Sequence, residues 1–121
     1  MLNLTRDLRF TAQIDGSPET IFDLIADVPN YSRWLPDSSA FGGTVDVTPY
    51  PVRLGTTYLD AGPIEKPGSV TEYDPPKHIS FHHMVQLRRG PLNTDVDARI
   101  RYTFEPNDGG TFVDRRLVLA F

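Results

Sequence analysis

Ser17 to Pro36 reads SPETIFDLIADVPNYSRWLP, one short helix followed by a shorter one, and nearly everything around it reads as strand. The helix start carries three signals. Ser17 can accept from the free N–H groups of a first turn, Pro18 suits the first helical position because it has no N–H to leave unpaired, and Glu19 complements the positive helix end. Ile21, Phe22, Leu24, Ile25 and Val28 then give one broad apolar face, with Thr20, Asp23 and Asp27 on the other side. Pro29 ends this helix by pushing the residue before it out of the helical region, and Asn30 is placed to cap a second one, Tyr31 to Leu35, closed by Pro36. Helices this short do not make a bundle. They predict a closure for one end of a sheet.

Upstream, Leu4, Leu8, Phe10, Ala12 and Ile14 alternate with Thr5, Asp7, Arg9, Thr11 and Gln13, broken on the apolar side only by Arg6. That period of two predicts a long half-buried strand, turned into the helix by Asp15-Gly16. Downstream, about six strands are expected, separated by proline and glycine. They cover Val45 and Val47, then Thr56 to Ala61, then Ile64 to Tyr73, where Pro67-Gly68 predicts a bulge, a sharp bend or an edge position. His78 to Leu87 carries Ile79, Phe81, His83, Val85 and Leu87 on one face, and Val96, Ala98, Ile100, Tyr102 and Phe104 form the strongest alternating run. Pro106 to Gly110 reads as a hairpin loop, and Val113, Arg115, Leu117, Leu119 and Phe121 share a face of the last strand. Strands joined by short turns are antiparallel.

The chain has 121 residues, enough for one domain that buries roughly two-thirds of its unfolded surface. A net charge of −4 with dispersed basic residues argues against a nucleic-acid partner. Zero cysteines exclude a disulfide framework, a thiolate zinc site and a cysteine nucleophile. No run approaches the ~20 apolar residues of a membrane span, and MLNLTRDLRF lacks the apolar core of a secretory signal, so a cytoplasmic protein is expected.

Ile14 with Ser17-Pro18-Glu19, the run Ile21 to Asp27, Asn30-Tyr31 and Trp34 make up an opening pattern. Further on come Val70-Thr71-Glu72-Tyr73 with Pro75-Pro76, then Ile79-Ser80-Phe81, then Tyr102 to Pro106 leading to Gly110-Thr111. Together these strings resemble the START-like (SRPBCC, helix-grip) superfamily, and within it the polyketide cyclase/dehydrase and lipid-transport group. The resemblance implies an α+β helix-grip fold in a single domain, 1–121: a curved antiparallel sheet of about six to seven strands, with two short helices after strand 1. It also implies a long C-terminal helix across the sheet, which is missing from a strand pattern running to Phe121. Either the natural polypeptide continues or something else covers the sheet.

Several residues on the expected inner rows invite chemistry. His83 interrupts an apolar row, where an imidazole can act as a general base or hold a polar ligand atom, or simply hydrogen-bond a neighbouring strand. Tyr102 either presents its phenol to a cavity or packs in the core with its hydroxyl at the rim. Arg115 on an apolar face needs a carboxylate or a ligand oxyanion; a register shifted by one puts Asp114 and Arg116 there instead. Phe81 lies in the row of His83. Trp34 packs the short helix onto the sheet mouth or gates a ligand. His78 and His82 belong to the face opposite His83, so no metal site and no cofactor are expected. Asp23, Asp27, Asp95 and Asp97 fall on solvent faces, and the facing of Asp60 and Glu72 stays open.

Three readings of function remain. One is binding or transport of a small hydrophobic or amphipathic ligand, lipid or polyketide-like, with Trp34, Phe81, His83, Tyr102 and Arg115 as its contacts. Another is a cyclase or dehydratase in which His83 or an inward carboxylate moves a proton, as the resemblance permits. The third is a module that forms a homo-oligomer through an uncovered sheet.

Overall fold

The computed structural model describes residues 4–33, 43–62, 64–89 and 91–121. Among these, β1 (Thr5–Ile14) leads into α1 (Pro18–Ala26) and a 3-10 helix (Val28–Arg33). Six strands follow: β2 (Thr44–Thr48), β3 (Thr57–Asp60), β4 (Lys66–Asp74), β5 (His78–Arg89), β6 (Leu92–Asn107) and β7 (Gly110–Ala120). They join β1 in one antiparallel sheet of order β1-β7-β6-β5-β4-β3-β2. The chain after the helices therefore walks across the sheet one strand at a time and returns to place β7 beside β1.

The helix begins as its sequence dictates. Thr20 N donates to Ser17 Oγ at 3.2 Å, Pro18 opens the first turn, and the Asp27 N–H closes the last one on the Asp23 carbonyl. Two details differ from expectation. Leu24 is exposed and Ala26 is buried in its place, so the packed face is narrower. The second element is 3-10 and starts at Val28, with Pro29 in its first turn, where a missing N–H leaves no hydrogen bond unmade. Asn30 is therefore inside it and donates to Asp27 Oδ2 at 2.9 Å, while Tyr50 Oη donates to Asp27 Oδ1 at 3.0 Å. Asp27 thus fixes the corner between the two helical elements instead of only solvating a face. Leu35 and Pro36 lie outside the described residues.

α1 packs on one face of β5, β6 and β7. Phe22 meets Tyr73 and Phe104 edge-on, with ring centroids 5.4 and 5.6 Å apart, and Ile21, Ala26, Val28, Ile79 and Val113 complete the core around it. The corner before α1 is tied to the β6–β7 hairpin. Thr111, fully buried, donates to the Gly16 carbonyl at 2.8 Å. Gly110 has φ +127°, and a Cβ there would stand 2.3 Å from the Ile14 carbonyl oxygen, so only glycine fits.

The register sorts the side chains into two faces. Phe81 pairs with Ile100, which pairs with Leu117; Ile79 pairs with Tyr102, which pairs with Arg115, which pairs with Phe10. These make the inner face, the one that carries α1. Asp114 and Arg116 stand on the outer face, so Arg115 belongs to the inner row. Pro67 and Gly68 lie within β4, and the bulge comes later, between Val70 and Glu72; pairing with β5 begins only at Gly68.

The half-burial expected of β1 is overturned. Every residue of the strand is exposed, Leu8 at 42% and Phe10 at 50%, because α1 does not reach it and, among the described elements, β1 touches only β7. No described helix is long and apolar enough to cross a membrane.

Candidate ligand-binding site

Tyr58 on β3 and His83 on β5 are separated by β4, yet Tyr58 Oη lies 2.9 Å from His83 Nε2. Gly68 makes the contact possible. It pairs with Tyr58 on one side and His83 on the other, and a Cβ built on it would meet Tyr58 Cζ at 2.5 Å. The phenol ring occupies the space a side chain would take. A strand glycine often marks such a close approach.

His83 is 7% exposed. Burial lowers the pKa of its imidazole, opposed by the Asp60 charge and by the Lys66 backbone. Burial likewise raises the Tyr58 phenol far above its ordinary value, with Asp60 and then Tyr102 adding to the effect. At neutral pH both partners are uncharged. His83 Nδ1 is buried and makes no hydrogen bond of normal geometry among the described residues. In one tautomer it is a lone pair able to take a proton, and in the other an N–H without an acceptor. Asp60, at the edge of this group, accepts from Thr44 Oγ1 at 2.9 Å.

Arg115 forms a second anchor. Its Nε donates to Tyr102 Oη at 3.1 Å, and its guanidinium lies 5.5 Å from the Phe10 ring centroid and 5.8 Å from that of Tyr102. No described carboxylate pairs with it. The outer face differs: Arg9 pairs with Asp114, Arg116 with Asp7, Arg101 with Glu72 and Arg99 with Asp97. These arginines hold the carboxyls of Asp7, Asp114 and Glu72 below the usual carboxylate range. His82 bonds Asp97 at 3.0 Å on that same outer face, opposite to His83, and the bond also depresses the Asp97 pKa.

Aromatic rings connect the two anchors. Phe81 meets Tyr58 and Tyr102 edge-on, each at 6.1 Å, and Tyr102 stacks with Phe104 at 6.1 Å. Tyr31, whose hydroxyl donates to the Ile25 carbonyl, interacts electrostatically with Tyr102, Tyr58 and Arg115, and burial pushes its phenol well above the ordinary range. Beyond α1 the apolar floor stays accessible at Ile100, Leu117, Leu119, Leu8 and Phe10. The arrangement can hold an apolar body on its aromatic floor, with polar atoms at either end.

Among the described residues, two hollows of about 420 and 430 Å³ open on the outer face. The first is walled by Thr71, Ser80, His82, Arg99, Arg101, Arg116 and Val118 with Phe81 and Ile100 also bordering it, the second by Asp7, Arg9, Arg101, Thr103, Asp114 and Arg116. Their arginines are already neutralised by neighbouring carboxylates, as on a solvated salt-bridged surface. Among the described residues no three His, Asp or Glu side chains converge as metal ligands.

The structure therefore brings Phe81, His83, Tyr102 and Arg115 together on one face, while Trp34 lies outside the described residues. The sequence pattern did not single out Tyr58 or Tyr31, left the facing of Asp60 open, and read Gly68 only as a bulge, bend or edge marker. Gly68 was the available signal: a small residue inside a strand leaves room for a neighbour's ring.

Among solved structures, the chain is similar to protein MLL2253 from Mesorhizobium loti, with a TM-score of 0.71 and 16% identity over 93% of this chain and 75% of that one. It is similar also to norcoclaurine synthase from Thalictrum flavum, with a TM-score of 0.68 and 14% identity over 98% of this chain and 70% of that one. The di-domain ARO/CYC BexL from the BE-7585A biosynthetic pathway gives a TM-score of 0.68 at 15% identity over 96% of this chain and 36% of that one. Likeness at these identities is one of fold, the START-like helix-grip. No curated protein sequence matches. The family model for polyketide cyclase / dehydrase and lipid transport matches residues 5–121, and the chain belongs to that family.

Proposed function

We propose that this protein binds a small amphipathic molecule, lipid or polyketide-like, against the inner face of the sheet. The reading rests on one observation above all. Arg115 stands on an apolar, aromatic face with no described carboxylate partner, while the outer-face arginines at positions 9, 99, 101 and 116 are all paired. A half-buried guanidinium in apolar surroundings favours an anionic or enolic oxygen brought by a ligand. The ligand's apolar body then covers Ile100, Leu117 and the Phe81–Tyr102 floor, and the polar groups orient it. Family membership supports the ligand class. Native mass spectrometry of the purified protein, followed by extraction, tests the reading. A co-purifying anionic amphiphile that is lost from Arg115→Gln supports it, and a ligand retained unchanged by Arg115→Gln defeats it.

A second reading, proton transfer by His83 in a cyclase- or dehydratase-type reaction, is favoured by a neutral, buried imidazole whose Nδ1 makes no hydrogen bond of normal geometry among the described residues. His83→Ala separates the two. If it keeps affinity but abolishes turnover of a poly-β-ketone substrate, the protein is an enzyme. Unchanged turnover removes His83 from the chemistry.

A further inference from the structure

The two edges of the sheet are built differently. β2 is five residues long, carries a register shift between Val45 and Thr48, has Asp46 at φ +55°, and runs into Pro49 and Pro51. Those are the devices by which proteins blunt an exposed edge. β1 is ten residues long, pairs with β7 without a break from Thr5 to Ile14, and contains no proline, glycine or lysine. Among the described elements nothing else touches it. Its outer-face charges, Asp7 and Arg9, are of opposite sign, so they do not repel a second copy in every register, and each is held in place by an ion pair with β7, to Arg116 and Asp114.

The hydrogen-bonding direction of this edge can be read off. Phe121 N donates to the Leu4 carbonyl at 2.9 Å, so Leu4 is a hydrogen-bonded pair with β7, and by alternation so are Arg6, Leu8, Phe10, Ala12 and Ile14. The N–H and C=O groups of Thr5, Asp7, Arg9, Thr11 and Gln13 therefore point away from the sheet, at a free edge.

We propose that two copies of this chain join by antiparallel pairing of their β1 strands, with Leu8 facing Leu8 across a twofold axis and Asp7 facing Arg9 of the second copy. Charge selects this register. Centring the pair on Arg9 sets Arg9 against Arg9, which is unfavourable for directly opposed side chains. Centring it on Phe10 leaves Asp7 opposite Gln13 and Arg9 opposite Thr11, with no charge matched. Centring it on Leu8 matches both charges twice. On the outer face the diagonal ion pairs Arg116–Asp7 and Arg9–Asp114 are then linked through the Asp7–Arg9 contacts into a chain of alternating sign across the junction. On the inner face Arg6, the one charge in the apolar row, comes to lie beside Phe10 of the second copy, and the two Leu8 side chains close on each other. An edge contact of this kind meets the ligand floor only at its β1 rim, Leu8 and Phe10, and leaves Ile100, Leu117, Tyr102 and His83 uncovered.

Sedimentation of the full chain over a concentration series should give twice the 13.6 kDa monomer mass as concentration rises. A monomer throughout, up to about millimolar protein, overturns the proposal. With zero native cysteines, single-cysteine variants report the register cleanly. In a non-hydrogen-bonded antiparallel pair the Cβ atoms stand at or below the short end of the usual range of about 4.5–5.5 Å, within a small backbone adjustment of the roughly 3.5–4.5 Å that a disulfide needs. Leu8→Cys should therefore form covalent dimer under mild oxidation at least severalfold faster than Arg9→Cys, Phe10→Cys or the inner-face control Ile100→Cys. Fastest bridging at any of the other three overturns the proposed pairing. Thr11→Pro removes one outward N–H without touching the β7 ladder and should leave a folded monomer; a Thr11→Pro protein that dimerises like wild type also overturns it.

Discussion

Replacing Gly68 by alanine should have opposite signs with and without the Tyr58 ring. A glycine in a strand interior is less favourable than alanine by roughly 0.5–1 kcal/mol, so an unobstructed substitution would stabilise the chain by that amount. Here the new Cβ would stand 2.5, 2.6 and 2.7 Å from Cζ, Cε2 and Oη of Tyr58, all inside contact distance. The ring has little room to retreat, being 6% exposed and set edge-on between Phe81 and His83. Overpacking of this kind costs about 1–3 kcal/mol. Losing the Tyr58–His83 hydrogen bond removes about 1 kcal/mol and leaves a buried imidazole with neither nitrogen bonded among the described residues, for a total loss of roughly 2–4 kcal/mol. Since urea slopes for small proteins are about 1–3 kcal/mol per molar, the unfolding midpoint should fall by on the order of 1 M. In a Tyr58→Leu background the obstructing atoms are gone, and Gly68→Ala should then be neutral or stabilising. The double-mutant cycle therefore carries a coupling of at least about 2 kcal/mol. Gly68→Ala at wild-type stability, or an equal loss in both backgrounds, would refute the account of how Tyr58 reaches His83.

Other perturbations have equally definite outcomes. Because burial holds the folded His83 pKa below its unfolded value, the unfolded chain binds the extra proton first on acidification. Stability should be full above about pH 7 and fall as pH drops below about 6.5, and urea melts of His83→Gln should lack that segment of the decline. The depressed carboxyls of Asp7, Glu72, Asp97 and Asp114 act in a lower window, their contribution being present above about pH 4 and lost as pH falls through their folded values. Arg115→Gln should weaken a long-chain carboxylate by about tenfold or more in calorimetric titration while leaving the corresponding alcohol within about twofold; equal loss of both would remove the charge from the argument. Thr111→Val keeps volume but strips the hydroxyl that the buried Thr111 donates to the Gly16 carbonyl, and a thermal melt should register a loss of about 1 kcal/mol.

Period-two patterning carried most of this fold into view. β5, β6 and β7 bury or half-bury the rows their alternation picks out, and the Ser17-Pro18-Glu19 start lies where three end-of-helix effects coincide. The inner placement of His83, Tyr102 and Arg115 follows from the same alternation. Contacts made across an intervening strand were not legible, because period gives the face of a residue and not its neighbours. Tyr58 and His83 meet only through the space that Gly68 leaves on β4. The exposure of β1 was misjudged for a related reason: alternation says which side chains share a face, while burial depends on what covers that face. Asp27 looked like a solubilising charge until Asn30 and Tyr50 were seen to converge on it.

A methyl NMR titration of the protein with a long-chain carboxylate bears on ligand binding at the inner face without needing the natural ligand. Inner-face methyls of Ile100, Leu117 and Leu119 should shift together and saturate at one molecule per chain, while outer-face Met84 and Val118 stay still. Shifts confined to Met84 and Val118, or none at saturating ligand, would contradict a binding site on the face that α1, Tyr58, His83 and Arg115 share.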